Sequence, residues 1–112
     1  MSLKLVKLQR IVEEFRKLDP EMQLQTVLAF VLIAHKQSQG STITIKEVGE
    51  MLGVTSASAS RNVAALTNYS RHRKAGHDLI TTYENPEFRV EKFIELTNKG
   101  KALVTRLENM ME

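Results

Sequence analysis

The stretch Thr44–Tyr69 reads TIKEVGEMLGVTSASASRNVAALTNY, and it contains two short helical patterns that meet at Gly53. In the first pattern, Ile45, Val48 and Leu52 fall at i, i+3 and i+7, which places them on one face of a helix. Glycine accepts the left-handed backbone conformation in which many helices end. The stretch therefore predicts two helices joined by a sharp corner at Gly53.

Both helices carry signals for where they begin and how they pack. Thr44 is followed three residues later by Glu47, which is the pattern of a capping box. Gly49 has no side chain, so we expect a second helix to approach the first closely there. Thr55 can cap that second helix. Its inward stripe is predicted to be Ala59, Val63 and Leu66.

The remaining positions of the second helix are small and polar, with one Arg and no acidic residue. Small residues let a helix enter a DNA groove, and Ser, Asn and Arg side chains can bind phosphates and base edges. These features predict a helix-turn-helix over residues 44–69, with the second helix as the recognition helix. A helical hairpin with no DNA role is the alternative. The expected DNA contacts in this region are Thr55, Ser56, Ser58, Ser60, Arg61, Asn62 and Asn68.

Positive charge is concentrated in the same region. Residues 55–77 contain four bases and no acid, whereas the rest of the chain contains 12 bases and 13 acids. Such clustering is typical of a surface that binds a polyanion. We expect Arg71, Arg73 and Lys74, which follow the recognition helix, to contact phosphates. The alternative is a basic loop that is merely solvated.

A β-hairpin is predicted over residues 79–96. Residues 79–83 are β-branched and aromatic, residues 85–87 contain Asn and Pro as in a turn, and residues 88–96 alternate imperfectly. Glu84 and Glu87 lie at the expected tip, where they would repel phosphate. Residues 42–43 could add a short strand.

Several of these residues resemble the MarR-type winged-helix regulators. The resemblance rests on Gly53-Val54-Thr55-Ser56, Ser60-Arg61, Val63 and Leu66, and on Leu96-Thr97 followed by Lys99-Gly100 where the wing leads into the next helix. It implies a wing at 79–96, with Arg89 close to the position of a wing arginine that enters the minor groove. It also implies a homodimer. Members of this family often respond to a small-molecule effector, but no residue of this sequence identifies a site for one. The chain departs from the family by six or seven extra residues within 70–78.

Amphipathic helices are predicted at both ends of the chain. Residues 3–18 form the first, and the apolar stretch 20–38 predicts a central core helix with Pro20 in its first turn. Thr97 can cap the last helix. One small lobe is not expected to cover both apolar ends, so a two-fold dimer is predicted. Its interface would be formed by Leu5, Leu8, Val12, Phe15, Leu103, Leu107 and Met110.

Length and composition set the remaining bounds. The 112 residues predict a single domain, 1–112, and the absence of Cys excludes disulfides and thiol catalysis. There is no phosphate-binding loop, paired acid cluster or metal-ligand spacing, so we expect no enzyme activity, no cofactor and no metal. A cytoplasmic location is expected because the first apolar residues are interleaved with bases.

The sequence as a whole predicts a mostly α-helical winged helix-turn-helix, with a small β-hairpin wing and with dimerisation helices at both ends. The predicted function is a regulator of transcription that binds double-stranded DNA as a homodimer, with the recognition helix in the major groove. The alternative is a winged-helix module that binds another protein and not DNA.

Overall fold

Helices form most of the described chain, and a small antiparallel sheet lies against them. The computed structural model describes residues 2–68, 76–87 and 91–112. Its elements are α1 (Leu3–Leu18), α2 (Leu24–Ser38), β1 (Ile43–Thr44), α3 (Ile45–Leu52), α4 (Ser56–Leu66), β2 (Ile80–Glu84), β3 (Lys92–Leu96) and α5 (Asn98–Met111). This order confirms the predicted fold class.

The sheet has the strand order β1-β3-β2, and both of its pairings are antiparallel. Ile43 of β1 lies opposite Ile94 of β3, and Ile80 of β2 lies opposite Leu96. A short strand that pairs with the hairpin is therefore present, one residue later than the predicted 42–43, and it leads directly into α3. The first part of the predicted second strand, residues 88–90, lies outside the described residues.

The core lies where α2, α3 and α4 meet the sheet. Its largest fully buried side chains include Phe30, Ile33, Leu66, Leu79 and Leu103. α1 joins this core through Phe15, whose ring meets that of Phe30 edge-on with centroids 5.9 Å apart. No helix in the described part of the chain is long and apolar enough to span a membrane.

The prediction for α2 is wrong in two respects. The helix begins at Leu24, because Pro20 lies in a turn that follows the end of α1 at Leu18. The helix is also not buried on all sides, although it carries apolar residues on all sides. Leu24, Leu28 and Val31 have relative exposures of 82%, 47% and 44%, while the face with Phe30 and Ile33 is buried. A 15-residue helix that packs on so small a core buries only one face.

The last helix begins where the sequence predicts, with Thr97 Oγ1 accepting a hydrogen bond from the backbone N–H of Gly100. The absence of a side chain at Gly100 has a structural reason. A Cβ at this position would lie 2.0 Å from the carbonyl oxygen of Leu79. That oxygen already accepts from the backbone N–H of Thr97 at 3.0 Å. Gly100 therefore allows α5 to pack directly on the chain entering β2.

Candidate nucleic-acid interface

The corner between α3 and α4 has the predicted geometry. Thr44 and Glu47 form a capping box, in which each side chain bonds the backbone N–H of the other residue. Gly53 ends α3 with φ of 69°, in the left-handed region. A Cβ on Gly49 would lie 3.1 Å from the Cβ of Ala59, so the two helices approach closely there. The predictions for all three features are confirmed, and the corner at Gly53 and the contact at Gly49 set the direction of α4 relative to α3.

α4 buries one side and exposes the other. Thr55 caps it by accepting from the backbone N–H of Ser58 at 3.1 Å, and its inward stripe of Ala59, Val63 and Leu66 is fully buried. Thr55, Ser56, Ser60 and Arg61 are exposed, and Ser58 is half-buried on the flank of the helix. The exposed side of α4 therefore presents hydroxyl groups and a guanidinium group to the surroundings, as predicted.

Asn62 is the exception, and its predicted place on the outer face needs correction. Its side chain is only 5% exposed and lies against α2. Nδ2 of Asn62 donates to Oε1 of Gln25 at 2.7 Å and to the carbonyl oxygen of Ser58 at 3.0 Å. Oδ1 of Asn62 accepts from Oγ1 of Thr26 at 2.8 Å. With these bonds made, the amide of Asn62 holds α4 against α2 and is not available to a base.

Ser58 completes this set of contacts by donating from Oγ to Oε1 of Gln25 at 3.1 Å. We call Gln25, Thr26, Ser58 and Asn62 the polar bridge. Sequence reasoning missed Gln25 and Thr26, because they lie 33 to 37 positions away from their partners. The available signal was a pair of polar residues near the start of an otherwise apolar stretch.

The chain beyond α4 returns to the end of that helix. Asn68 is exposed, and its carbonyl oxygen accepts from the backbone N–H of Gly76 at 3.2 Å. The N–H of Leu79 donates to the carbonyl oxygen of Leu66 at 2.8 Å, which anchors the start of β2. Four of the basic residues predicted to contact DNA lie outside the described residues: Arg71, Arg73, Lys74 and Arg89.

His77 lies where this returning chain meets the end of α1. Its Nε2 is 3.9 Å from Oδ2 of Asp19, and its side chain is 15% exposed. Burial lowers the pKa of His77 below its ordinary value, the charge of Asp19 opposes this shift, and the charge of Lys99 adds to it. Among the described residues, no group of three or more His, Asp or Glu side chains is arranged to hold a metal ion.

The hairpin of β2 and β3 presents an acidic end. Glu84 and Glu87 are exposed there, and Nδ2 of Asn85 donates to Oε2 of Glu91 at 3.1 Å. Tyr83 and Phe93 pair across the two strands with ring centroids 5.5 Å apart. The described part of the hairpin tip therefore carries mostly carboxylates, and the exposed Lys92 opposite Glu84 is a cation beside them.

The residues predicted to form a dimer interface divide into two groups. Leu5, Leu8 and Val12 are exposed by 54%, 54% and 49%, and they lie on one face of α1. Phe15, Leu103 and Leu107 are instead buried within the single chain, and Met110 is half-buried. The premise that one chain cannot cover both terminal helices needs correction, because α1 and α5 pack against each other.

A capped helix, a glycine corner, a second helix with an exposed polar face and an adjoining β-hairpin define a winged helix-turn-helix protein. No protein-family model matches the sequence, and no curated protein matches it. Solved structures do match. RV1404 from Mycobacterium tuberculosis superposes with a TM-score of 0.68 at 19% identity, over 95% of this chain and 64% of its own length.

Two further structures carry the name of the fold family. A MarR variant from E. coli, complexed with operator DNA, gives a TM-score of 0.62 at 17% identity over 96% of this chain and 67% of its own. A MarR-like transcriptional regulator from Thermotoga maritima gives 0.60 at 21% identity over 97% and 74%. This chain therefore has the MarR-type winged helix-turn-helix fold, and it spans less than two thirds of the length of RV1404.

Proposed function

We propose that this chain binds double-stranded DNA in a sequence-specific manner and regulates transcription, with α4 in the major groove. The observation that carries the proposal is the outer face of α4. Ser56, Ser60 and Arg61 are exposed on it, and the helix from Ser56 to Leu66 contains no acidic residue. Hydroxyl and guanidinium groups are the donors that read base edges and bind phosphates.

The way α4 is held supports this role. The close contact at Gly49 packs α4 against α3, and the polar bridge holds α4 against α2. A recognition helix that is already fixed loses little conformational entropy when it binds. The operator complex of the E. coli MarR variant, a structure of the same fold, is in line with this use of the fold.

We propose further that the chain acts as a homodimer, with the exposed face of α1 in the interface. Leu5, Leu8 and Val12 form an apolar stripe at i, i+3 and i+7 that the single chain leaves uncovered. A two-fold axis would bring the same stripe from each copy together. It would also place two recognition helices about 34 Å apart, one turn of DNA, to suit a palindromic site.

The second candidate function is a module that binds another protein and no DNA. The exposed carboxylates of Glu84 and Glu87 favour it, because they would repel a phosphate backbone. The exposed stripe of Leu24, Leu28 and Val31 on α2 favours it as well, since apolar patches mark association surfaces. The acid-free face of α4 favours DNA more strongly.

A fluorescence titration separates the two functions. A labelled duplex of mixed sequence is titrated with the chain at low and at physiological salt. We expect binding at low salt that weakens steeply as salt rises, because bound cations displace counterions from DNA. Absence of duplex binding even at low salt would reject the DNA proposal in favour of the protein-binding module.

A further inference from the structure

The hydrogen bonds of the polar bridge determine which way the side-chain amides of Asn62 and Gln25 are turned. A backbone carbonyl can only accept, so the carbonyl oxygen of Ser58 requires Asn62 to turn Nδ2 toward it. The same Nδ2 meets the side chain of Gln25 at 2.7 Å, so the atom of Gln25 that faces it must be the acceptor Oε1. Ser58 Oγ donates to this oxygen as well. The orientation of the Gln25 amide is therefore set by α4.

This orientation leaves Nε2 of Gln25 as an unused donor. Among the described residues, Nε2 of Gln25 has no hydrogen-bond acceptor. Every buried side-chain nitrogen or oxygen in the described chain does have a partner. Nε2 must therefore be accessible from outside. It carries two N–H groups on a side chain whose other end is held by two hydrogen bonds to the recognition helix.

The position of this donor matches the edge of a DNA groove. Gln25 contacts Ser58, which lies in the first turn of α4, and recognition helices contact bases mainly through their N-terminal residues. A helix with its side chains is about 10–12 Å wide, close to the roughly 12 Å width of the major groove. A group held beside such a helix, rather than on its outer face, lies at the groove edge, where the phosphates are.

We propose that Gln25 is a further DNA-contacting residue, whose Nε2 donates a hydrogen bond to a backbone phosphate beside the recognition helix. Asn62 is then a positioning residue, which fixes the Gln25 amide in the orientation that presents this donor. The inference rests on the proposed DNA-binding function and deepens it. Gln25 would then contact the phosphate, and Asn62 would orient Gln25.

The test compares Gln25→Glu with Gln23→Glu. A carboxylate at position 25 still accepts from Asn62 and Ser58, so the bridge survives, but the outward donor is replaced by an oxygen that repels phosphate. Gln23 is exposed at the start of α2 and makes no side-chain capping bond, so Gln23→Glu adds the same charge close by without touching the bridge.

We expect Gln25→Glu to weaken duplex binding about 10- to 100-fold, the range for losing a hydrogen bond to a charged group, with an unchanged thermal midpoint. Gln23→Glu should weaken binding only a few-fold. Equal losses from the two variants, with the parent chain still binding DNA, would overturn the role of Gln25 and leave the proposed function standing. A parent chain that binds no duplex would instead reject the proposed function itself.

Two more variants complete the test. Asn62→Leu should weaken duplex binding, because Nε2 of Gln25 is no longer held in place. In the Asn62→Leu background, Gln25→Glu should then lower the affinity no more than Gln23→Glu does. Fully additive losses would contradict the positioning role. If Gln25→Glu does not fold, Gln25→Ala replaces it, and affinity equal to that of the parent chain would reject the contact.

Discussion

At the scale of single residues, a few side chains decide how α4 is presented. Gly53 was predictable because a positive φ favours glycine, and Thr44, Thr55 and Thr97 were predictable because capping follows local sequence. Asn62 was not predictable. Its amide is equally suited to a base edge or to a buried partner, and Gln25, the partner that decides, lies 37 positions away.

Gly100 gives a test of packing at this scale. Gly100→Ala should lower the free energy of unfolding by about 1–3 kcal/mol, because the new methyl group would overlap the carbonyl oxygen of Leu79. This cost exceeds the gain of up to about 1 kcal/mol in helix propensity. Urea unfolding measures it, with Lys101→Ala at the exposed neighbouring position as the control. A Gly100→Ala variant more stable than the parent chain would contradict the close contact.

His77 gives a test of pH dependence. Its folded-state pKa is below its ordinary, unfolded value, so unfolding takes up protons as the pH falls. Its contribution to stability is therefore present above the ordinary pKa of about 6.5 and is lost as pH falls through the folded-state pKa. The thermal midpoint of the parent chain should drop more between about pH 7.5 and pH 5.5 than that of His77→Gln. Equal drops would show that His77 contributes nothing.

At the scale of elements, local periodicity predicted most of the helices and the hairpin. It failed for α2, whose apolar residues lie on all sides although only one face meets the core. Periodicity shows how apolar residues are spaced along a helix. It does not show how much of the helix the rest of the chain can cover. The end of α4 also differs, since the helix ends at Leu66 and not near residue 69. The backbone N–H groups of Gly76, near the end of the 70–78 segment, and of Leu79, just after it, donate to the carbonyl oxygens of Asn68 and Leu66 at this end of the helix.

The insert can be tested as a unit. Replacing Arg71, Arg73 and Lys74 with Gln should weaken binding to any duplex and flatten the slope of log affinity against log salt by about two to three, since each phosphate contact contributes close to one. The control replaces three exposed lysines on the terminal helices, Lys4, Lys17 and Lys101. If the insert variant keeps the parental slope, these cations do not contact phosphate.

At the scale of the whole molecule, the fold could be predicted but the packing of its ends could not. Amphipathic terminal helices can be covered by a second copy or by each other, and the sequence pattern is the same in both cases. In the structure, α1 and α5 pack together and bury Phe15, Leu103 and Leu107, while Leu5, Leu8 and Val12 remain exposed. The proposed interface is therefore carried by the outer face of α1.

The dimer is tested by light scattering. We expect a mass of about twice the 12.7 kDa of one chain at micromolar concentration. Leu8→Glu should give a folded monomer with much weaker DNA binding, because a charge would enter the apolar interface. Leu28→Glu, at a similarly exposed leucine on α2, should leave the mass unchanged. A parent chain that is monomeric under these conditions would rule out the proposed dimer.

Arg61 provides the sharpest test of whether the outer face of α4 reads DNA. After selecting a preferred duplex from a random-sequence pool, the affinities of the parent chain, Arg61→Ala and Lys101→Ala for that duplex are measured by fluorescence anisotropy. Lys101 is exposed on α5, so its replacement removes one charge from outside the proposed interface. We expect Arg61→Ala to fold normally and to lose about 1–3 kcal/mol of affinity for the preferred duplex, with reduced discrimination against other sequences. Lys101→Ala should change the affinity little. Equal affinity of the parent chain and Arg61→Ala for the selected duplex would contradict the proposed role of α4.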